Sequence, residues 1–198
     1  SFIVGKTALT TFGLKLINSD DAFETQLKKI GLDTTPEDIF SPAGQAVRGK
    51  AKALTKLKQK LALNGRLGII VDGTGKDYDK IVKQSNSLKQ LGYDTHMIFV
   101  NTSLDTALER NAKRDRSVPE DIVVKSWKDV QSNIGKFSQQ FKQNFIVVDN
   151  NDSEEDVMTP VFKQIKGLLK KKVKSPVAKQ WVMQQMKLRG MKRAPKGF

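Results

Sequence analysis

Short apolar runs alternate with longer amphipathic stretches along the sequence, and this alternation restricts the fold more than any other feature. Five runs have the apolar composition of buried strands: Phe2–Val4, Leu14–Asn18, Gly68–Val71, Met97–Val100 and Phe145–Val148. Such runs, separated by helical segments, are typical of a parallel sheet with crossover helices. This alternation of strands and helices therefore predicts an α/β domain built on a doubly wound parallel sheet.

The helical segments carry start and stop signals. Ser41 is placed to cap a helix whose first residue is Pro42, and Gly65 follows that helix as a stop signal. Thr102 is the predicted N-cap of a later helix. The predicted helices cover about residues 42–64, 78–92, 102–114 and 119–141.

The composition restricts the class of protein. The chain has 198 residues, of which 38% are apolar and 28% charged, and this suits one soluble domain. The lack of cysteine excludes disulfides and thiolate metal sites, and the single histidine, His96, excludes a multi-histidine site. No apolar run is long enough to span a bilayer. We therefore expect a cytoplasmic protein without a membrane span.

The net charge of +14 is concentrated near the C-terminus. After Asp156 there are twelve lysines and arginines and no acidic residue, whereas residues 1–156 carry 23 basic and 21 acidic groups. We predict one domain over residues 1–166 and a basic tail over residues 167–198.

The tail contains one amphipathic helix, with Val177, Trp181 and Leu188 on its apolar side. We expect this apolar side to dock on the domain or on a protein partner. The positive charge suits nucleic acid, an acidic protein or an anionic surface, and the alternative is a solvated tail without a partner.

Gly5-Lys6-Thr7 directly follows the first apolar run and matches the end of a phosphate-binding loop, G-x-x-x-x-G-K-[ST]. In such a loop the lysine neutralises nucleotide phosphates and the hydroxyl binds Mg²⁺. The first glycine of the motif is missing. Either about five loop residues are absent from the sequence near Gly5, or the loop is deleted and the domain is a kinase fold without catalysis. We favour the first interpretation, because the strand before and the helix after fit the motif.

Three carboxylates follow two of the predicted strands. Asp20 and Asp21 come after Leu14–Asn18, and Asp72 follows Gly68–Val71. The carboxyl ends of strands are where α/β folds bind ligands. One of the paired aspartates could accept the proton of an attacking hydroxyl, and one could cap the following helix. Asp72 is placed like a Walker-B aspartate that holds Mg²⁺, although an ordinary Asp-Gly turn also fits.

Arginines cluster in the segment RNAKRDR. Arg110 and Arg114 are i,i+4 neighbours on one face of a predicted helix, and Arg116 follows them. Such a cluster can stabilise the negative charge of a transferring phosphoryl group. A solvated run of charges is the alternative interpretation.

Taken in order, these motifs resemble the kinase domain of polynucleotide 5′-hydroxyl kinases and of the related zeta-toxin-like kinases. The similarity covers roughly residues 1–150 and is most specific in RNAKR followed by VP, while INSDDAFE is similar to the segment that carries the acceptor-side aspartate. The resemblance implies a P-loop kinase fold that uses ATP and Mg²⁺. It implies that Gly5, Lys6 and Thr7 bind the ATP phosphates and that Thr7 and Asp72 hold Mg²⁺. It also implies that Asp20 is the general base. The lid arginine Arg114 would contact the phosphates, supported by Arg110 and Arg116.

Two functions stay open from the sequence. The first is ATP-dependent transfer of a γ-phosphoryl group to a hydroxyl of a nucleic-acid 5′-end or of a small metabolite such as a nucleotide sugar. The second is a kinase-like domain retained as a structural or nucleic-acid-binding component, for example of a viral particle, with little or no catalysis.

Overall fold

The computed structural model describes residues 12–114, 117–151 and 158–193. These residues form helices and short parallel strands, in agreement with the predicted α/β class. The elements are β1 (Lys15–Ile17), α1 (Asp20–Lys29), α2 (Pro36–Phe40), α3 (Pro42–Asn64), β2 (Ile69–Val71), α4 (Tyr78–Gln90), β3 (Met97–Asn101), α5 (Leu104–Ala112), α6 (Glu120–Phe141), β4 (Phe145–Asp149), α7 (Met158–Leu169) and α8 (Pro176–Leu188).

The chain divides into two compact units. The first contains residues up to Thr74 together with Ser103–Trp127, and the second contains Gly75–Thr102 together with residues from Lys128 onward. The parallel pair β1–β2 belongs to the first unit and the parallel pair β3–β4 to the second.

The core of the first unit holds α1 and α2 against α3. Phe23 and Leu27 lie one turn apart on α1 and are buried together with Ile39 of α2 and with Val47 and Ala51 of α3. Burying a large apolar side chain contributes about 1.5–3 kcal/mol to stability. This cluster therefore fixes the position of the start of α1 relative to α3. The candidate functional residues lie at the start of α1.

The start of α3 follows its sequence signals. The Ser41 hydroxyl accepts a hydrogen bond from the Gly44 N–H at 3.0 Å, and Pro42 occupies the first helical position. Gly65 is the C-cap, as predicted. A Cβ at Gly44 would overlap the carbonyl oxygen of Asp38, so only glycine allows α2 and α3 to approach this closely.

The second unit has an aromatic core. Phe99 of β3 is buried with Phe137 and Phe141 of α6, and the rings of Phe137 and Tyr78 lie 5.2 Å apart. The two strands run parallel, with Met97 opposite Phe145. Tilted aromatic pairs of this kind add to the stabilisation that comes from burial alone.

Two details differ from the sequence predictions. Among the described residues the strands form two separate pairs rather than one doubly wound sheet, because apolar composition predicts a strand but not its hydrogen-bonded neighbour. The predicted strand Phe2–Val4 lies outside the described residues.

The N-cap of α5 is Ser103 rather than Thr102, since the Ser103 side chain accepts the Thr106 N–H at 3.1 Å.

The C-terminal helices belong to the second unit. α7 continues across the boundary predicted at residue 166, and that boundary stays a prediction. Leu188 does not dock on the domain, because its side chain is 78% exposed, and docking of the apolar side on a protein partner stays a prediction. The contact is made by Ala178 instead: Gly92 has φ +95°, and a Cβ there would lie 2.7 Å from the Ala178 nitrogen. No helix within the described residues has the length and apolar character needed to cross a membrane.

Candidate functional site

The ends of β1 and β2 bring two polar side chains together. Because Ile17 lies opposite Val71 in the parallel pair, the residues that follow the two strands meet at one edge. The side-chain nitrogen of Asn18 donates to Oδ2 of Asp72 at 2.9 Å, and the Asp72 backbone N–H donates to the Ile17 carbonyl at 3.2 Å. Asp72 therefore occupies the strand tip expected from the sequence.

Asn18 also connects this edge to the start of α1. Its side-chain oxygen accepts the backbone N–H of Asp20 at 2.8 Å. A carboxylate only accepts and a backbone N–H only donates, so the two partners determine the orientation of the Asn18 amide. One side chain thus links the Asp72 carboxylate to the helix that carries Asp20.

The predicted capping role of Asp20 or Asp21 is wrong. Ser19 is the N-cap residue of α1 and makes no side-chain capping bond, while both aspartates lie inside the first turn. The backbone N–H of Asp20 instead donates a hydrogen bond to the side-chain oxygen of Asn18. Negative side chains in the first turn of a helix interact favourably with the positive end of the helix dipole.

A pocket of about 120 Å³ lies beside this edge, between β1, α1 and α3. Its polar lining comes from Asn18, Asp21, Thr55 and Lys58, and its apolar lining from Leu16, Ala22 and Leu54. Asp21, not Asp20, lines the pocket, although the two residues are adjacent at the start of α1. The Thr55 hydroxyl donates to the Ala51 carbonyl at 2.9 Å.

The arginine segment forms a second group of candidate residues, at the end of α5. This helix ends at Ala112, so Arg114 lies beyond it, and the prediction that Arg110 and Arg114 share a helix face is wrong. Arg110 is half-buried and Arg114 is exposed. Arg116 lies outside the described residues.

Asn111 braces the segment that contains Arg114. Its side-chain nitrogen donates to the Val118 carbonyl at 2.8 Å, and its side-chain oxygen accepts the Val118 N–H at 3.0 Å. These reciprocal bonds tie together the two ends of the segment between residues 111 and 118. Next to it, Lys113 donates to the exposed Glu109 carboxylate and lowers the pKa of that group.

Three predicted site residues, Gly5, Lys6 and Thr7, fall outside the described residues. The described residues also offer few side chains that could bind a metal. Within the described part of the chain, no group of three metal-ligating side chains occurs. Proteins usually hold Mg²⁺ through one or two carboxylates, while water and substrate phosphates complete the coordination. Asp72 is a suitable carboxylate at the strand tip.

Asn18, Asn111 and Lys58 were not singled out by the sequence analysis. A signal existed for Asn18, since asparagine after a strand and before a helix often bonds to nearby backbone. The role of Asn111 depends on where α5 ends, and that of Lys58 depends on the packing of α3. The sequence carries no direct signal for either.

The parallel strands, the aspartate at a strand tip and the helix that begins beside it are features that a P-loop kinase-like protein has. The chain belongs to the zeta toxin family, whose sequence profile matches residues 39–159. The matched region contains Asp72, Arg110 and Arg114, whereas Lys6 and Asp20 precede it. A search of the curated proteins found no match.

Proposed function

We propose that the chain is an ATP-dependent kinase that transfers the γ-phosphoryl group to a hydroxyl of a nucleic-acid 5′-end or of a small metabolite. The observation that carries the proposal is the bridge made by Asn18. It joins the Asp72 carboxylate to the backbone of Asp20 at one strand edge, in a chain of the zeta toxin family. Metal-side and acceptor-side carboxylates must lie close together for phosphoryl transfer.

On the nucleotide side, Lys6 is assigned to neutralise the phosphates and Gly5 to let the backbone approach them. Thr7 and Asp72 would hold Mg²⁺, and the carboxylate of Asp72 is the donor type that this ion prefers. When bound, Mg²⁺ neutralises charge on the transferring phosphoryl group. The coordination itself is part of the proposal, as is the use of ATP.

On the acceptor side, Asp20 is assigned as the general base. The acceptor oxygen forms a bond to the γ-phosphorus while the bond from that phosphorus to the bridging oxygen of ADP breaks. The hydroxyl proton passes to the Asp20 carboxylate.

The arginine segment would stabilise the charge that spreads over the phosphoryl oxygens in the transition state. Arg114 is the principal candidate, because Asn111 holds the ends of the segment that contains it. Arg110 and Arg116 are assigned supporting contacts with the nucleotide phosphates.

Mg-ATP binding and turnover test this proposal, with a 5′-hydroxyl oligonucleotide and a set of sugars and sugar phosphates as acceptors. Lys6→Ala should weaken Mg-ATP binding. Asp20→Asn should retain binding and lower turnover by about 10²–10⁴-fold, the range for a lost general base. Asp129→Asn, an exposed aspartate of α6, is the control and should behave like the parent. Parent-like binding in Lys6→Ala together with parent-like turnover in Asp20→Asn would reject the proposal.

The run of twelve basic and no acidic residues after Asp156 favours a second candidate, a structural or nucleic-acid-binding component with little or no catalysis. This candidate predicts weak or absent Mg-ATP binding but retained binding to nucleic acid through the tail at residues 167–198. Glutamine at positions 170–172 should then weaken nucleic-acid binding and flatten its salt dependence, since each neutralised phosphate contributes about 0.9 to the slope on duplex DNA. A partner that contacts the apolar side of the tail helix would instead be insensitive to this change and sensitive to Trp181→Ala. The cytoplasmic location stays a prediction.

A further inference from the structure

Three leucines of α3 lie on the surface of the first unit and are called the leucine stripe below. Leu54, Leu57 and Leu61 are 50%, 54% and 63% exposed. Because they follow one another at steps of three and four residues, they share one side of the helix. Val47 lies one heptad before Leu54 and is buried against α1 and α2. The apolar side of α3 that packs inside the first unit therefore continues into solvent over the second half of the helix.

The same helix is strongly basic. The 23 residues of α3 include six basic side chains and no acidic one. Two of the lysines, Lys58 and Lys60, are exposed and flank the leucine stripe, one on each side. Positive charge on both sides of an apolar stripe is complementary to a partner that carries acidic groups beside its own apolar residues.

The spacing of the leucines indicates the shape of that partner. Leu54, Leu57 and Leu61 occupy positions a, d and a of a heptad, in which Lys58 is at e and Lys60 at g. A stripe restricted to positions a and d is the narrow seam that receives one helix in a coiled coil. A helix that lies flat in a bilayer surface typically carries Trp or Phe beside leucine, and α3 contains no aromatic residue. The stripe therefore fits a helix better than a membrane.

Charge and chemistry disfavour two other occupants. A second copy of α3 would bring Lys58 and Lys60 close to the same lysines, because positions e and g meet across a coiled coil in either orientation. Such like-charge contacts oppose self-association. A nucleic acid would pair with the lysines through its phosphates but would leave the three leucines in water.

We propose that the leucine stripe is a docking surface for an acidic amphipathic helix of another protein. The partner helix carries apolar residues at a and d, which cover the leucines, and Asp or Glu at e and g, which pair with Lys58 and Lys60. The stripe extends over about two helical turns, so the interface is small and belongs to the weak, transient class. This inference concerns binding of a protein and does not depend on the proposed kinase function.

Two synthetic peptides test the proposal with the full chain. The probe has three heptads with leucine at a and d and glutamate at e and g, and its matched control has lysine at e and g. Fluorescence anisotropy of each labelled peptide measures its affinity for the protein. The parent should bind the glutamate peptide at least about tenfold more tightly than the lysine peptide, because only the first is complementary in charge.

Leu57→Ser tests the apolar part of the surface. It should weaken binding of the glutamate peptide by about tenfold or more, since the buried area that leucine contributes to the complex is lost. The substitution is at an exposed position, and circular dichroism checks that the helices remain intact. Leu169→Ser, at an exposed leucine of α7, is the control and should bind the peptide like the parent.

Charge reversal tests the flanking lysines. Lys58→Glu combined with Lys60→Glu should reverse the preference, so that the lysine peptide binds more tightly than the glutamate peptide. Lys52→Glu combined with Lys56→Glu is the matched control, because it changes the net charge equally at exposed lysines of α3 that do not flank the leucine stripe. The control should keep the preference of the parent.

The inference is overturned if the parent binds neither peptide or binds both equally, or if the two charge reversals have the same effect. Sedimentation velocity and vesicles of phosphatidylcholine with phosphatidylserine test the other occupants. Dimerisation of the parent that Leu57→Ser abolishes would assign the stripe to a second copy. Vesicle binding that Leu57→Ser abolishes, without binding of the glutamate peptide, would assign it to a membrane surface. Either result overturns the proposal of a partner helix.

Discussion

Asn18 donates a hydrogen bond of 2.9 Å to the carboxylate of Asp72, a residue 54 positions away in the sequence. The side-chain oxygen of the same amide accepts the backbone N–H of Asp20, so Asn18 contacts the Asp72 carboxylate and the backbone of Asp20 at once. Side chains that orient metal-ligating groups usually contribute about 10–100-fold to affinity or activity.

Asn18→Leu should therefore lower turnover by about 10–100-fold and raise the Mg²⁺ concentration needed for half-maximal turnover. The shift in Mg²⁺ dependence separates positioning from a general loss of stability. Asn86→Leu, at an exposed position of α4, is the control. Unchanged Mg²⁺ dependence in a folded Asn18→Leu protein would show that the bridge does not position Asp72.

Asn111→Ala should release the segment that contains Arg114. Two hydrogen bonds to Val118 are lost, each with a net contribution of about 0.5–1.5 kcal/mol. Because Arg114 is assigned to the transition state, we expect kcat to fall by about tenfold, with a smaller rise in KM for ATP. Lys113→Gln breaks the neighbouring exposed pair with Glu109 and should leave kcat unchanged, because such pairs contribute little. Equal kcat values for the two variants would contradict the bracing role of Asn111.

Gly92→Ala should destabilise the protein more than Gly190→Ala does. Both glycines have positive φ, so each substitution costs about 1–2 kcal/mol in backbone strain. Only at Gly92 would the new Cβ also meet a neighbour, the backbone of Ala178, at 2.7 Å. Urea unfolding measures both variants. Equal loss of stability would mean that α8 does not pack against Gly92 in solution.

His96 should make stability depend on pH below neutrality. Burial lowers the pKa of His96 below 6.5, while Asp94 opposes this shift and Lys171 adds to it. The folded state therefore binds the proton less tightly than the unfolded state does. Stability should be highest above pH 6.5 and should fall as the pH decreases from there towards the lowered pKa.

This effect can be isolated because the chain contains a single histidine. His96→Gln should remove the part of the pH dependence that lies just below pH 6.5, as measured by urea unfolding at several pH values. Asp94→Asn removes the opposing charge and should steepen the dependence. A parent-like pH profile in His96→Gln would assign the effect to carboxylates instead.

Local signals in the sequence predicted the elements well. The strands near residues 15, 69, 97 and 145 and the long helices were predicted because apolar runs and capping residues act within a few positions. The position of Ser41 before Pro42 is an example, since both the cap and the proline favour a helix start independently of tertiary contacts. The error at Thr102 is also local, because two adjacent hydroxyl residues can both cap a helix.

The candidate site was only partly predictable for the same reason. Asp72 was identified from the strand that precedes it, but its partner Asn18 becomes a neighbour only when β1 and β2 pair. Lys58 was one of six basic residues in α3, and nothing in the sequence distinguishes the one that lines the pocket. Long-range contacts of this kind arise from packing.

The position of three helices between β1 and β2 affects the order of folding. α1, α2 and α3 contact one another over short sequence separations, so they can form before the strands meet. Their packing brings the ends of β1 and β2 together and reduces the entropy lost on closing the loop between them. Each strand has three paired residues, too few to hold the pair alone. A refolding chain should therefore regain its helical signal first and the contact between Asn18 and Asp72 last.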